Sequence, residues 1–505
     1  MRLVWAAVVG AFSVSVMSST LAIKNPRTWF NFYVVSWANS AADGAGLDLH
    51  LDLGQSVQPG RRGTRDQLIQ ALRDAVRSGR LPAGTMLPPS RSLATDLGLA
   101  RNTVAEAYAE LVAEGWLGSR QGAGTWVIGS HTESAPAAQR AGPGTPTHNL
   151  MPGSGNVAAF PRQAWLASAR RALTNAPTEA LRTSDARGRQ ELRAALATYL
   201  ARARGVRTTA ESIVICAGTR HAVELLSKVF APGTIAVENY GLFLFRDAIA
   251  GNGAGTVPIR IDDHGAVVDD LEKTSAAAVL LTPAHHFPHG VPLHPTRRTR
   301  ALDWAIRTKS YVLEDDYDGE FRYDRQPIGS MQGLDPDRVA YLGSASKSLA
   351  PVLRLGWMVL PDNLIDPVLT AAGGQQFYVN AIDQLTMADF IESGQYDKHI
   401  RRMRNSYRRR RDALAAKLSG LDVEISGLSA GLHALIRLPD GTEHEVMRRA
   451  ADAGIALSGL ALLRHPDAAD TPPQDGVVVS FGTPADHEFT AALDALHDVL
   501  KAVSR

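Results

Sequence analysis

The residues able to do chemistry in this chain sit where strand-like runs end or helical patterns begin. Lys347 lies among serines in Gly343-Ser344-Ala345-Ser346-Lys347-Ser348, with Arg354 seven residues on. An amine in such company is a nucleophile toward a carbonyl, and hydroxyls with a guanidinium hold an anion. Glu314-Asp315-Asp316-Tyr317 follows the apolar run 311–313, which puts acids and a phenol at a strand's C-terminal end, where α/β sheets bind ligands. Ala217-Gly218-Thr219 follows the run 212–216 and opens a helical pattern, so its backbone amides suit a phosphate. Far upstream, Arg101, Asn102 and Thr103 open another helical pattern just after a glycine turn. They are donors suited to phosphates and base edges.

These groups need a scaffold, and the chain is long enough to supply several domains. It has 505 residues, 45% apolar and 21% charged, an ordinary globular composition. Lys and Arg number 53 against 51 acids, so the net charge of +2 excludes a histone-like polycation. Nucleic-acid binding must then rest on a local basic surface. The single cysteine, Cys216, excludes a disulfide framework and a Cys-rich zinc site and points to a reducing, cytoplasmic setting. Residues 1–47 form an atypical extension. Arg2 precedes an uncharged stretch over 3–21 that resembles a signal peptide, is diluted by serines as a membrane anchor, and also fits an upstream start with translation beginning near Asp48. A compact unit follows at 60–128. Residues 129–148, rich in Pro, Gly, Ala and Ser, read as a flexible linker. From 149 to 505, strand-like runs at 212–216, 234–237, 277–281, 311–313, 338–341 and 357–360 alternate with helical patterns. That alternation predicts an α/β domain with a largely parallel sheet.

The unit at 60–128 reads as a winged helix-turn-helix. Leu68, Leu72, Ala75 and Val76 recur at helical spacing, with Gly79 as the stop. Ser90 caps a short second helix carrying Leu93, Ala94 and Leu97, and Gly98 gives a left-handed turn. The third helix carries Val104, Ala107, Tyr108, Leu111 and Val112 on one face, leaving Arg101, Asn102 and Thr103 free to meet a major groove. Strands at 116–120 and 125–128, joined by Gln121-Gly122-Ala123-Gly124, make a wing with Arg120 near its tip. The runs LPPSRSLA, ARNTV, LVAEGWL and RQGAGT closely resemble the GntR-type winged helix. That resemblance implies that Arg91, Arg101, Asn102, Thr103 and the wing around Gly122 contact double-stranded DNA. Ala100 departs from the usual Ser cap, at a cost of up to about 1 kcal/mol.

Pyridoxal phosphate chemistry needs a lysine amine, an acid at the pyridine nitrogen, a donor at the 3′ oxygen and an anion cradle. The stretches EDDYDGEFRY and GSASKSLAPVLRLGW, within a match from about 150 to 502, resemble the fold-type I aminotransferase-like domain of the MocR regulators. The resemblance implies an N-terminal winged helix-turn-helix joined to a PLP-dependent transferase fold, a mostly parallel large domain with a smaller α/β domain. It assigns the internal aldimine to Lys347, the pyridine nitrogen to Asp315 and the 3′ oxygen to Tyr317. Gly218, Thr219, Ser344, Ser346 and Arg354 hold the phosphate. It also implies a homodimer reading an operator as two half-sites, answering to a small-molecule amine or PLP-related effector, with no membrane partner. Two alternatives keep the same residues: an active aminotransferase carrying a DNA-binding head, and a sensor that has lost PLP.

The pocket departs from the family at several positions. Leu242 stands where an aromatic ring usually covers the cofactor, so stacking falls to Tyr240 or Phe243. Arg220-His221 replaces Gln-Gln, with Arg220 adding positive charge that suits an anionic effector. Thr183 replaces a tyrosine that reaches the partner subunit's phosphate, and Pro288-His289-Gly290 replaces Pro-Thr-Gly. Val478 stands where many aminotransferases carry an arginine that clamps a substrate carboxylate. The arginine-rich stretch 400–414 reads as the exposed face of a long helix. His285, His286 and His289 lie without a carboxylate at ligand spacing, so no metal is expected.

Overall fold

The computed structural model describes residues 63–78, 80–120, 124–128, 146–182, 185–324, 328–374, 379–469 and 471–503. They fall into two compact units, one within 1–142 and the other within 143–505. The signal-like extension, Gly79, the linker through residue 145, Thr183 and Gly122 lie outside the described residues.

The first unit runs α1 (Thr64–Arg77), β1 (Met86–Leu87), α2 (Ser90–Asp96), α3 (Arg101–Ala113), β2 (Leu117–Arg120) and β3 (Gly124–Val127). The apolar residues with helical spacing, from Leu68 and Leu72 through Leu93 to Val104 and Leu111, close into a single core. The sheet order is β1-β3-β2, all antiparallel. The strand β1 was not expected: two residues carry no periodicity, and only pairing with β3 defines them. Gly98 takes the left-handed conformation, φ 63°. Ser90 is the first helical residue rather than the cap. Pro89 precedes α2 and Ala100 precedes α3, each without a side-chain capping bond.

The second unit opens with β4 (His148–Asn149), α4 (Arg162–Asn175) and α5 (Gln190–Arg204). Its main sheet uses β5 (Ile213–Cys216), β6 (Thr234–Glu238), β7 (Gly255–Ile259), β10 (Ala278–Leu281), β11 (Tyr311–Asp315), β12 (Val339–Ser344) and β13 (Gly356–Val359), with a small hairpin of β8 (Ile261–Asp262) and β9 (Gly265–Ala266) beside it. The order is β5-β13-β12-β11-β10-β6-β7, parallel except at β13. Alternate residues of one strand enter opposite cores. Ala278 and Leu280 pack with α6 (Thr219–Phe230) and α7 (Phe243–Gly251), whereas Val279 and Leu281 pack with α8 (Pro295–Thr308). A sheet buried on both faces explains why these strands read as unbroken apolar runs.

Helices α9 (Asp362–Ala371), α10 (Ala381–Glu392) and α11 (Gln395–Leu418) lead to the smaller antiparallel sheet. It contains β14 (Glu424–Ser426), β15 (His433–Arg437), β17 (Ser458–Gly459) and β18 (Gly476–Ser480), in the order β14-β15-β18-β17. The strand β16 (Ile455–Ala456) pairs with β4, and α12 (Glu443–Asp452) and α13 (Phe489–Val503) pack against this layer. A mostly parallel large sheet with a smaller α/β layer is the expected fold class.

One expectation needs correction: the arginines of 400–414 are not all solvent-facing. Arg410 is buried and donates to the carbonyls of Phe481 and Pro484, and Arg404 and Arg411 donate to those of Glu320 and Leu428. Arg401, Arg408 and Arg409 form the exposed face. No helix among the described residues is long and apolar enough to cross a membrane.

Candidate functional site

In the first unit, Arg101 and Asn102 open α3 and are exposed, with Thr103 half-buried behind them. Arg91 is exposed on the first turn of α2, and Arg120 ends β2 beside the wing turn. Arg91, Arg101, Asn102 and Arg120 carry no side-chain bond to the protein among the described residues. Their donors are left for an outside acceptor.

In the second unit, the C-terminal ends of the main strands surround a cavity of about 300 Å³. It brings together Gly218, Thr219, Asp315, Tyr317, Ser344, Ser346, Lys347 and Arg354, the residues that the resemblance assigned to the cofactor. Gly218 turns the chain from β5 into α6 with φ 92°, a conformation that glycine adopts without strain. Gly356 of β13 lies directly against it. A Cβ there would sit 2.6 Å from the Gly218 Cα. This turn in the cavity wall is thus wedged in place by backbone alone. Arg354 has φ 47°, an uncommon setting for a side chain and one that aims it into the cavity wall.

The three neighbouring acids have separate fates. Glu314 accepts from the backbone N–H of Met331 and Gln332, 2.8 and 3.0 Å, and so ties a loop to the sheet. Asp316 takes Arg204 at 2.6 and 3.0 Å and the Tyr341 hydroxyl at 2.8 Å, a buried structural ion pair. Asp315 alone faces the cavity. It is 4% exposed, and its Oδ1 has no hydrogen-bond partner. Burial pushes its carboxyl up to about 8; Lys347 pulls it down, and Asp316 and Asp318 add to the rise. Lys347 Nζ donates to the Gly153 carbonyl, and burial lowers its ammonium while Asp315 and Asp318 resist. The Tyr317 hydroxyl lies 3.2 Å from His285 Nδ1 and 3.1 Å from the His285 carbonyl, and burial holds it protonated well above the usual range.

Several wall residues escaped the sequence reading. Glu238, at the end of β6, accepts from Thr282 at 2.8 Å and is pushed up to about 8 by burial. His433, Ser458 and Ser480 come from the smaller sheet, and the loop over Met151–Ser154 closes one side. No local spacing marks them, since they lie far from Lys347 in sequence. Asp318 supplies the carboxylate that histidine spacing did not: it meets His285 at 2.9 Å, and with His433 the pair forms a buried group of ligand-type atoms. Of the two rings proposed to stack, Phe243 lines the cavity. Tyr240 is buried outside it, its hydroxyl accepting from Gln474 N–H at 3.0 Å. Arg220 is paired with Glu224 one turn along α6, 2.9 Å, so its charge is balanced. Val478 is buried among Tyr240, Leu435, Leu460 and Leu463.

Residues 64–127 match the family of bacterial regulatory proteins, gntR family, and residues 149–465 match aminotransferase class I and II. The HTH-type transcriptional regulator YhdI of Bacillus subtilis is 35% identical over 85% of this chain and 94% of its own length. The probable rhizopine catabolism regulatory protein MocR of Rhizobium meliloti is 31% identical over 82% of this chain and 89% of its own. The chain belongs to the MocR class of HTH-type transcriptional regulators. Its class mates include PdxR of Corynebacterium glutamicum, a pyridoxine biosynthesis regulator, 31% identical over 87% of this chain and 95% of its own. Among solved structures, the second unit of this MocR-type regulator is similar to the Pyrococcus horikoshii kynurenine aminotransferase. That match has a TM-score of 0.64 at 26% identity, covering 70% of this chain and 90% of the enzyme. The gntR-type head makes it a DNA-binding protein, and the second unit has the fold on which pyridoxal phosphate enzymes are built.

Proposed function

We propose that this regulator holds pyridoxal 5′-phosphate in the cavity of its second unit. A small amine or a cofactor-related molecule entering that cavity changes operator binding by the head. The observation that carries the reading is Asp315, a buried carboxyl on the cavity wall whose Oδ1 lacks a donor. A pyridinium N–H would supply the donor and the countercharge together, so the residues present fit the cofactor.

When bound, the cofactor supplies an electrophilic carbonyl and an electron-withdrawing ring. Lys347 would hold it covalently, its lowered ammonium favouring the reactive free amine. Asp315 keeps a proton at the ring nitrogen. Tyr317, fixed by His285, stays a hydrogen-bond donor toward the 3′ oxygen. The amides of Gly218 and Thr219 at the α6 N-terminus, with Ser344, Ser346 and Arg354, take the phosphate. Phe243 and Leu432 keep water from the ring.

In the head, Arg91, Arg101, Asn102, Thr103, Arg120 and the wing around Gly122 contact the operator, the α3 residues in the major groove. The regulator works as a homodimer. Leu166 and Leu173 on α4, with Leu181 and Ile382 of α10 nearby, leave apolar side chains exposed on adjoining elements, as a subunit contact requires. An effector regulates only through unequal affinity for the DNA-competent and incompetent states. The test is operator retention on a gel, titrated with protein loaded with pyridoxal phosphate and with stripped protein. The reading expects at least a tenfold difference in half-retention. Identical curves, with sedimentation giving a monomer, would overturn it.

A further inference from the structure

We propose that the effector is a primary amine with an apolar body and no carboxylate beside the amine, an inference that rests on the cofactor reading above. The cavity beyond Lys347 is walled by Leu242, Phe243, Phe245, Leu432, Leu462 and Leu463. Leu463 also packs with Val478, Tyr240, Leu435 and Leu460, and Val478 is an apolar side chain where the family resemblance would place a carboxylate-clamping arginine. Of the three arginines lining the cavity among the described residues, two are bonded to the protein, and the cofactor reading gives the third, Arg354, to the phosphate. Arg246 donates to the carbonyls of Gly241, Leu463 and Arg464 at 3.2, 2.9 and 3.2 Å. Arg220 pairs with Glu224 at 2.9 Å.

The polar groups near the apolar wall do not welcome an anion either. His433 is buried and held neutral by desolvation with His285 beside it. Glu238 turns an acid toward the same space. A carboxylate there would lose its water and gain no charged partner, a costly exchange. An alkyl or aryl group would bury apolar area against leucine and phenylalanine instead.

Paired ligands test this: 2-phenylethylamine against phenylalanine, and 3-methylbutylamine against leucine. Each is titrated into the full-length, cofactor-loaded protein. Both the visible band and the thermal midpoint are followed, so that binding is read with or without colour. Each amine is expected to reach half-saturation at a concentration at least tenfold below its amino acid. Leu462, at the half-exposed rim, provides a variant that folds: Leu462→Arg should narrow that gap at least threefold, whereas Leu462→Met leaves it unchanged. Amino acids that saturate at equal or lower concentration overturn the proposal while leaving the cofactor reading intact. Colourless protein whose midpoint still rises with amines and not with amino acids sustains the cavity's preference and overturns the cofactor reading. No response to any of the four ligands overturns the proposal.

Discussion

Replacing Asp315 by asparagine should alter the stability of the cofactor-free protein in a pH-dependent and unusual direction. The carboxyl is buried at the end of β11 and pushed from 3.8 up to about 8, chiefly by desolvation, with Asp316 and Asp318 adding to the rise and Lys347 opposing it. A carboxyl raised in the folded state binds its proton more tightly there than in the unfolded chain. Its contribution is therefore fully present below 3.8 and is lost as the pH climbs toward 8. At about 1.4 kcal/mol per unit, the interval from pH 6 to pH 8 alone removes up to about 2.7 kcal/mol. Asparagine has no proton to lose. Urea unfolding of the two stripped proteins across that interval should show the variant gaining by roughly 2 kcal/mol relative to the native chain. Saturating pyridoxal phosphate should flatten the slope in the native protein, because the ring nitrogen then shares the proton. The variant should bind the cofactor at least tenfold more weakly. Parallel pH profiles for the two stripped proteins, or equal cofactor affinity, would refute the assignment of Asp315.

Other perturbations follow from particular contacts. Gly356→Ala drives a Cβ to 2.6 and 2.9 Å from the Gly218 Cα and N, backbone atoms that cannot swing aside. It should cost about 1–3 kcal/mol in urea unfolding and weaken cofactor binding, while Gly420→Ala, in open space, does neither. Arg204→Met leaves Asp316 buried without its cation, and the midpoint of denaturation should fall by the equivalent of about 3–5 kcal/mol. Arg101→Ala should weaken operator retention by about 1–3 kcal/mol and lessen the salt dependence by about one ion, with the visible spectrum of the second unit unchanged.

Much of this molecule is legible in its sequence because burial leaves a pattern. The main strands are apolar on both faces, and the head's helices repeat their leucines and alanines at helical spacing. Strand β7, by contrast, reads GTVPI, half-buried with a proline, and carries too little apolar character to be noticed. The division of labour among Glu314, Asp315 and Asp316 was beyond local reading. It depends on Arg204 and on the backbone of Met331 and Gln332, which only the fold brings near. The same holds for Asp318 beside His285 and for Arg402, Arg404, Arg410 and Arg411 of α11, which bind carbonyls. Resemblance singled out the lysine, acid, phenol, hydroxyls and arginine that the structure gathers around one cavity. It did not foresee that Tyr240 would turn away from the cavity while Phe243 entered it.

The most direct test of the whole account is borohydride reduction of the purified full-length protein incubated with pyridoxal phosphate, followed by peptide mapping. The account predicts a yellow protein whose visible band disappears on reduction, with the pyridoxyl mass on the peptide holding Lys347 and on none in Lys347→Ala. A protein that stays colourless, or that carries the label equally in the alanine variant, would contradict it.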